Sequence, residues 1–154
     1  MQKNAITPTF RITSSIIDDH INAEKLIAEF QSLKVKNEPA AKKLFLKIKE
    51  ELMVHMTKEE EVLFPLFESR TQIQGSGPTV TMRNEHKQIS ALLNKMEKTL
   101  RNPKRNARQE AVMEKELLKL LKMHEEKEEE VFYPWLDKML PEQEKKTAVA
   151  QMRN

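Results

Sequence analysis

The residues of this sequence best suited to chemistry are its four histidines and the glutamates that follow two of them. His55 and Glu59 are four residues apart, and His124 and Glu128 repeat that spacing. Because an α-helix rises about 1.5 Å per residue, this separation puts both side chains on one helix face, about 6 Å apart along the axis. An imidazole and a carboxylate so placed can bind one metal ion or share two.

The two His-x-x-x-Glu motifs lie in a duplicated segment. HMTKEEEVLFPLF, which begins at His55, matches HEEKEEEVFYPWL, which begins at His124, in its His, Lys, Val, Pro and three Glu residues. A fainter match pairs Asp19-His20 with Glu85-His86. Internal similarity of this kind predicts a duplicated helix pair. Each half therefore offers one lone histidine and one His-x-x-x-Glu motif.

The two halves together supply four imidazoles and two carboxylates, which is a donor set for two equivalent metals. The predicted ligands are His20, His55, Glu59, His86, His124 and Glu128. The chain has no cysteine, so thiolate sites, disulfides and iron–sulfur ligation are excluded. Mixed nitrogen and oxygen ligation favours iron, with manganese as the second choice. The expected cofactor is a pair of non-haem irons bridged by the two carboxylates.

Other metal and nucleotide motifs do not fit. Glu128 stands where a zinc-protease HExxH helix would have its second histidine, and no glycine-rich phosphate loop is present. The ferritin-type Glu-x-x-His pair is missing, because the positions three before the histidines hold Ile17, Leu52, Arg83 and Leu121. Among the acidic runs, only Glu59 and Glu128 lie on the histidine stripe. We expect the other acidic residues there to be solvated.

These donors need long helices to position them. Of the 154 residues, 33% are charged and only two are glycine, a composition typical of an all-α protein. Apolar residues at three- and four-residue steps predict helices from residues 13–15 to Leu33, from Pro39 toward Pro65, from Thr79 to Leu100, and from Ala107 through Val131. Hydroxyl side chains at residues 13–15 are expected to cap the first helix.

The connections complete the predicted fold. Residues 71–78, with Gly75 and Gly77, predict a loop, and the segment from Pro141 to Asn154 could form a short fifth helix. Four helices with short connections predict an up-down-up-down four-helix bundle, a single domain over residues 1–154. All four histidines fall on the apolar stripes, one per helix. A buried imidazole without a partner costs about 1–3 kcal/mol, so four such burials need a common cause.

Charge and hydropathy exclude other classes. Net charge is +3, and the one basic cluster, Arg101, Lys104, Arg105 and Arg108, has no nucleic-acid-binding motif around it. No apolar run approaches the roughly 20 residues of a membrane span, and residues 1–15 lack the apolar segment of a signal peptide. We therefore expect a cytoplasmic protein with neither a nucleic-acid nor a membrane partner.

The ordered motifs resemble those of the hemerythrin-like, HHE cation-binding family. They are a His in the first helix, H-x-x-x-E-E-x-x-L-F-P in the second, E-H in the third and H-x-x-x-E in the fourth. The resemblance covers Ser15 to Lys138. It implies a di-iron four-helix bundle. Oxygen-carrying hemerythrins have a second histidine one turn from the third-helix histidine, whereas Met82 and Ser90 stand at those positions here.

The set of four His and two Glu is more similar to the di-iron domain of iron–sulfur cluster repair proteins, which respond to nitric oxide and oxidative stress. Glu51 and Glu85 resemble acidic residues that line a polar route to the iron pair in those proteins. Glu24, one turn after His20, is a candidate further ligand or hydrogen-bond acceptor.

This resemblance implies a non-haem di-iron protein of the nitrosative and oxidative stress response that binds NO or O2 and acts on damaged iron–sulfur proteins. A hemerythrin-like module that binds or senses O2 or NO without turnover fits the same motifs. Both an enzyme and a binding module therefore stay open at this point. A metal-free interaction bundle is disfavoured by the complete ligand set.

Overall fold

The computed structural model describes residues 9–154, which form five helices and contain no β-strand. The helices are α1 (Ile12–Lys36), α2 (Glu38–Lys58, Glu59–Leu63 and Phe64–Thr71), α3 (Pro78–Arg101), α4 (Ala107–Lys127, Glu128–Phe132 and Tyr133–Met139) and α5 (Glu142–Arg153). Helix α1 packs on α2, and α3 packs on α4. The predicted all-α, up-down-up-down bundle with a short fifth helix is confirmed. The single domain over residues 1–154 stays a prediction.

Helix α1 begins differently from the prediction. The hydroxyls of Ser14 and Ser15 do not cap it but donate back to the carbonyl of Arg11, at 3.2 and 2.8 Å. The carboxylate of Asp137, on α4, instead accepts from the backbone N–H groups of Ile12 (2.6 Å) and Thr13 (3.2 Å). The predicted local cap was wrong because a charged acceptor from another helix takes these N–H groups.

Helices α2 and α4 each contain one π-helical turn, over Glu59–Leu63 and Glu128–Phe132. Each turn is followed by a proline, Pro65 or Pro134, in the first turn of the next α-helical part. The prediction that the second helix would end near Pro65 was wrong. Pro65 stands in the first turn of the α-helical part that follows the π-helical turn, a position where proline is tolerated, and the helix continues to Thr71.

Two apolar cores lie at opposite ends of the bundle. The first contains, among others, Phe30, Phe45, Ile48, Leu93 and Leu117. The second contains, among others, Ile16, Phe64, Phe67, Leu136 and Val149, the last from α5. The four histidines belong to neither core and lie in the layer between the two. The bundle therefore places its polar side chains in a band closed by apolar packing at both ends.

The remaining predictions concern the surface. The predicted loop occupies residues 72–77, where Gly75 and Gly77 have φ of 73° and 82°. In the basic cluster, Arg105 pairs with Glu38 and Glu110. Within residues 9–154, no helix is long and apolar enough to cross a membrane. Part of the segment assessed for a signal peptide, residues 1–8, lies outside the described residues, and the cytoplasmic location stays a prediction.

Candidate metal centre

The structure brings the six predicted ligands together in the polar band. Ligand atoms of His20, His55 and Glu128 lie within 4.8 Å of one another, and those of Glu59, His86 and His124 do the same. Five of these side chains are buried, while His55 retains about 14% exposure. Each group combines two histidines of one half of the repeat with a glutamate of the other half, so the two groups are adjacent.

Each half of the repeat contributes one pair of imidazoles. The rings of His20 and His55 are 5.2 Å apart, and those of His86 and His124 are 4.7 Å apart. The two carboxylates lie between these pairs. Glu59 is 3.5 Å from His55 Nε2 and 3.3 Å from His86 Nε2, while Glu128 is 2.9 Å from His124 Nε2 and 3.8 Å from His20 Nε2. Both carboxylates therefore contact imidazoles from both halves.

Several of the central atoms are buried without any hydrogen-bond partner. Within residues 9–154 these are His20 Nε2, His55 Nε2, Glu59 Oε2 and Glu128 Oε1. Each such atom costs about 1–3 kcal/mol when it is left unsatisfied. Four unsatisfied atoms that point into one space are the arrangement expected where a cation completes the site. The residues present therefore fit a bound metal pair.

The second pair of imidazoles gives a further test of this fit. The Nε2 atoms of His86 and His124 are 3.0 Å apart, and the Nδ1 atom of each ring faces a carboxylate. When Nδ1 carries the proton, both Nε2 atoms are acceptors, so they cannot bond to each other. Metal–imidazole bonds of about 2.1 Å at right angles would separate two nitrogens by about 3.0 Å. The spacing suits two ligands of one metal.

Carboxylates outside the cluster contact the Nδ1 atoms of the histidines, on the side of each ring away from the cluster. His20 Nδ1 donates to Glu129 at 2.7 Å, His86 Nδ1 to Glu60 at 2.8 Å, and His124 Nδ1 to Glu85 at 2.8 Å. Asp19 lies 3.6 Å from His55 Nδ1. The expectation that Glu60 and Glu129 are merely solvated was wrong. They lie in the π-helical turns, where a regular α-helical period misplaces side chains.

The three candidate channel residues have different surroundings. Glu85 accepts from His124 and from Lys127. Glu51 accepts a 3.3 Å hydrogen bond from Asn22 and lines a cavity of about 560 Å³ that reaches the cluster between α1 and α2. Glu24 is exposed and is absent from the two groups of converging ligand atoms. Sequence spacing alone could not separate these three environments.

The same cavity is lined by a further glutamate, Glu125, beside the site. Glu125 lines it together with His20, His55, His124 and Glu128. Burial raises the pKa of Glu125 to about 7, and the negative charges of Glu24 and Glu129 add to the rise. The route from solvent to the cluster therefore passes carboxylates on the side of the first histidine pair.

An aromatic ring packs against one histidine of each pair. Tyr133 and Phe64, which occupy equivalent positions in the repeat, stack on His20 and His86 with ring centroids 5.9 and 5.4 Å apart. Both rings are fully buried, as expected for core packing. The Tyr133 hydroxyl also donates toward Glu128 at 2.6 Å and contacts Glu59. Its role in the site is thus more than packing.

Charges in the metal-free cluster are strongly coupled. Burial raises the pKa of Glu128 well above its usual value, and the charge of Glu59 adds to this. Burial also acts to raise the pKa of Glu59, but His55 and neighbouring hydrogen bonds hold it well below its usual range. Burial acts to lower the pKa of His55, yet Glu59 and Asp19 outweigh it and raise the pKa well above normal. The pKa shifts of His55 and Glu128 thus both favour the protonated form of these side chains in the metal-free cluster.

A four-helix bundle that gathers four imidazoles and two carboxylates in its core belongs to the class of non-haem metal-binding bundles. The profile of the hemerythrin HHE cation-binding domain matches residues 11–136. The chain therefore belongs to the hemerythrin HHE cation-binding family, and the predicted resemblance is confirmed.

Comparison with curated proteins finds a similar segment in the iron–sulfur cluster repair protein YtfE of Cronobacter sakazakii. The two sequences are 42% identical over 53 residues, which is 34% of this chain. The match spans about a quarter (24%) of the relative's length. No solved structure matches the chain significantly. The similarity to a repair protein is thus limited to part of its length.

Proposed function

We propose that this chain is a non-haem di-iron domain of the nitrosative and oxidative stress response. In this proposal His20 and His55 would hold one iron, His86 and His124 would hold the other, and Glu59 and Glu128 would serve as carboxylate ligands shared by both. The observation that supports it is the set of buried, unpartnered donor atoms facing one space between the two imidazole pairs. When bound, the irons would supply open coordination positions for a diatomic ligand and one-electron redox chemistry.

The protein's own residues would control what reaches that site. The cavity between α1 and α2 gives a small ligand such as NO or O2 access beside His55, which is the most exposed of the four histidines. The two apolar cores exclude water from above and below the polar band. The segment similar to an iron–sulfur cluster repair protein supports damaged iron–sulfur proteins as partners.

Iron analysis tests the ligand assignment. Protein purified from iron-replete cells should contain about two irons per chain. The variants His124→Ala and Glu128→Ala should each lose most of that iron, because each removes a central donor. Glu130→Ala, which changes an exposed carboxylate two residues from Glu128, is the matched control and should keep it. Full iron retention in both site variants would rule out these ligands.

The open cavity also favours a second candidate, a module that binds or senses O2 or NO without turnover. Two assays separate the candidates. The iron-loaded chain should restore activity to an iron–sulfur enzyme damaged by NO if it serves repair. A stable, reversible O2 adduct in the absorption spectrum, with no restored enzyme activity, would favour the binding module instead.

A further inference from the structure

Each half of the repeat carries three consecutive glutamates that have three different surroundings. Glu59 and Glu128, the first of each run, are fully buried in the cluster. Glu60 and Glu129, the second, are partly exposed and each accepts from a histidine Nδ1. The third of each run, Glu61 and Glu130, are exposed. The identical runs therefore do not form a uniform solvated face.

The contacts of the second glutamates cross between the halves. Glu60 belongs to the first half but holds His86 of the second, whereas Glu129 belongs to the second half but holds His20 of the first. The other two pairings, Asp19 with His55 and Glu85 with His124, stay within one half. Among the four carboxylates that face a histidine Nδ1, only Glu60 and Glu129 therefore contact a histidine of the opposite half.

These crossed contacts are not ordinary surface ion pairs. Among residues 9–154, neither Glu60 nor Glu129 has a lysine or arginine nitrogen within 4.0 Å. Their side chains are 38% and 29% exposed, yet each extends inward to an imidazole that is almost completely buried. The hydrogen-bond partner of each of these two carboxylates is therefore a buried imidazole N–H and not a surface cation.

Hydrogen bonding at Nδ1 determines what Nε2 can do. An N–H donated to a carboxylate fixes the tautomer and the ring plane, so the Nε2 lone pair points into the site. The carboxylate also makes the ring a stronger donor to a metal. The hydrogen bond from His86 to Glu60 therefore affects the His86/His124 metal position. The hydrogen bond from His20 to Glu129 affects the His20/His55 position.

We propose that Glu60 and Glu129 are positioning residues that act crosswise: each orients a metal-binding histidine of the opposite half. Each metal position then depends on the π-helical turn of the other half, so the two halves must be packed together before either position is complete. This proposal rests on the proposed function, because it assumes that the six converging donors bind metal.

Binding of Co2+ in variants with one position removed tests the crosswise pattern. His55→Ala leaves the His86/His124 position, and His124→Ala leaves the His20/His55 position. Adding Glu60→Gln should weaken Co2+ binding roughly 10–100-fold in the His55→Ala background and by less than about threefold in the other. Adding Glu129→Gln should give the reverse. Absorption of the bound Co2+ reports affinity at each position.

Glu61→Gln and Glu130→Gln are matched controls, because they change neighbouring exposed glutamates and should alter affinity by less than about threefold in both backgrounds. Equal losses in both backgrounds, or losses no larger than the controls, would overturn the crosswise assignment. Absence of Co2+ binding by the unmutated chain would instead overturn the proposed metal site itself.

A measurement without metal provides a second test. Imidazole nitrogen NMR spectra of the metal-free chain should show the Nδ1-protonated form of His86, and Glu60→Gln should reduce its population while leaving His20 unchanged. Glu129→Gln should do the opposite. An unchanged tautomer at both histidines would contradict the proposal even if metal affinity fell.

Discussion

Tyr133 introduces an asymmetry at the scale of single residues. Its repeat partner is Phe64, and both rings stack on a histidine, but only Tyr133 carries a hydroxyl. Tyr133 is also the chain's only tyrosine. Burial raises the pKa of its phenol well above the usual value, and the charges of Glu128 and Glu59 add to this. The phenol therefore stays protonated and acts as a hydrogen-bond donor to the central carboxylates.

Removing this hydroxyl should destabilise the metal-free chain. Tyr133→Phe keeps the ring but leaves the buried Glu128 and Glu59 carboxyl groups without this donor, so the free energy of unfolding should fall by about 1–3 kcal/mol. Urea denaturation of the metal-free protein measures it. In a double-mutant cycle with Glu128→Ala, which removes the acceptor, the two losses should not add, because the two side chains share one contact. Strict additivity would show that the hydroxyl does not act through that carboxylate.

At the scale of the helices, the start of α1 is joined to the last part of α4 by hydrogen bonds. The amino terminus of α1 has no cap from its own sequence, and Asp137 of α4 takes that role over a separation of more than a hundred residues. Thr13 adds a hydroxyl donor to the same carboxylate, at 2.6 Å. The contact places the start of α1 against the helix segment that follows the second π-helical turn.

Loss of this carboxylate should behave like loss of a helix cap. Asp137→Ala should lower the free energy of unfolding by about 1–2 kcal/mol, because two backbone N–H groups lose their acceptor. Asp18→Ala, which removes an exposed carboxylate from α1, is the control. A difference between the two variants of less than about 0.5 kcal/mol in urea denaturation would contradict the capping role.

The helices show which parts of the fold the sequence can predict. Apolar periodicity located the four helices of the bundle, and the segment from Pro141 was recognised only as a possible fifth helix. The caps that Asn37 and Asn106 provide at the starts of α2 and α4 were not predicted. The cap on α1 could not be predicted, because Asp137 is distant in sequence. The π-helical turns were missed as well, since a single extra residue in a turn leaves no composition signal. Glu60 and Glu129 were misjudged for that reason.

The candidate site was predictable in its central donors and less so in their surroundings. The repeated His-x-x-x-Glu spacing located Glu59 and Glu128, and the structure brings all six predicted ligands together, although their binding of metal stays a prediction. The repeated Glu-Glu pairs and the acidic residues before His20 and His86 were signals for the outer carboxylates. Their pairing with particular imidazoles depends on packing between helices, which spacing within one helix does not report.

At the scale of the whole molecule, the metal site and the fold are linked. The six donors come from α1, α2, α3 and α4, and they would not converge in an unfolded chain. Cations bound only by the folded state stabilise it in proportion to their binding. If the proposed metals bind, the buried unpartnered atoms would make the metal-free bundle the less stable form.

Metal removal should therefore lower the melting temperature. Anaerobic Fe2+ at about 100 times its dissociation constant should add about 2.7 kcal/mol per site to the free energy of unfolding, and a chelator should reverse this. Mg2+, which prefers an all-oxygen site, is the control and should have little effect. Thermal unfolding that does not depend on Fe2+ concentration would contradict this link.

The crossed glutamates have a consequence for ancestry. The π-helical turn recurs at the same point of both halves, with the same Glu-Glu-Glu-Val sequence, as duplication of one helix pair would produce. A single helix pair has only half of the donors, and it lacks the histidine that its second glutamate contacts, since that histidine lies in the other half. Two identical pairs related by a two-fold axis would satisfy both requirements. The present chain has the internal symmetry of a homodimer whose two subunits have been fused.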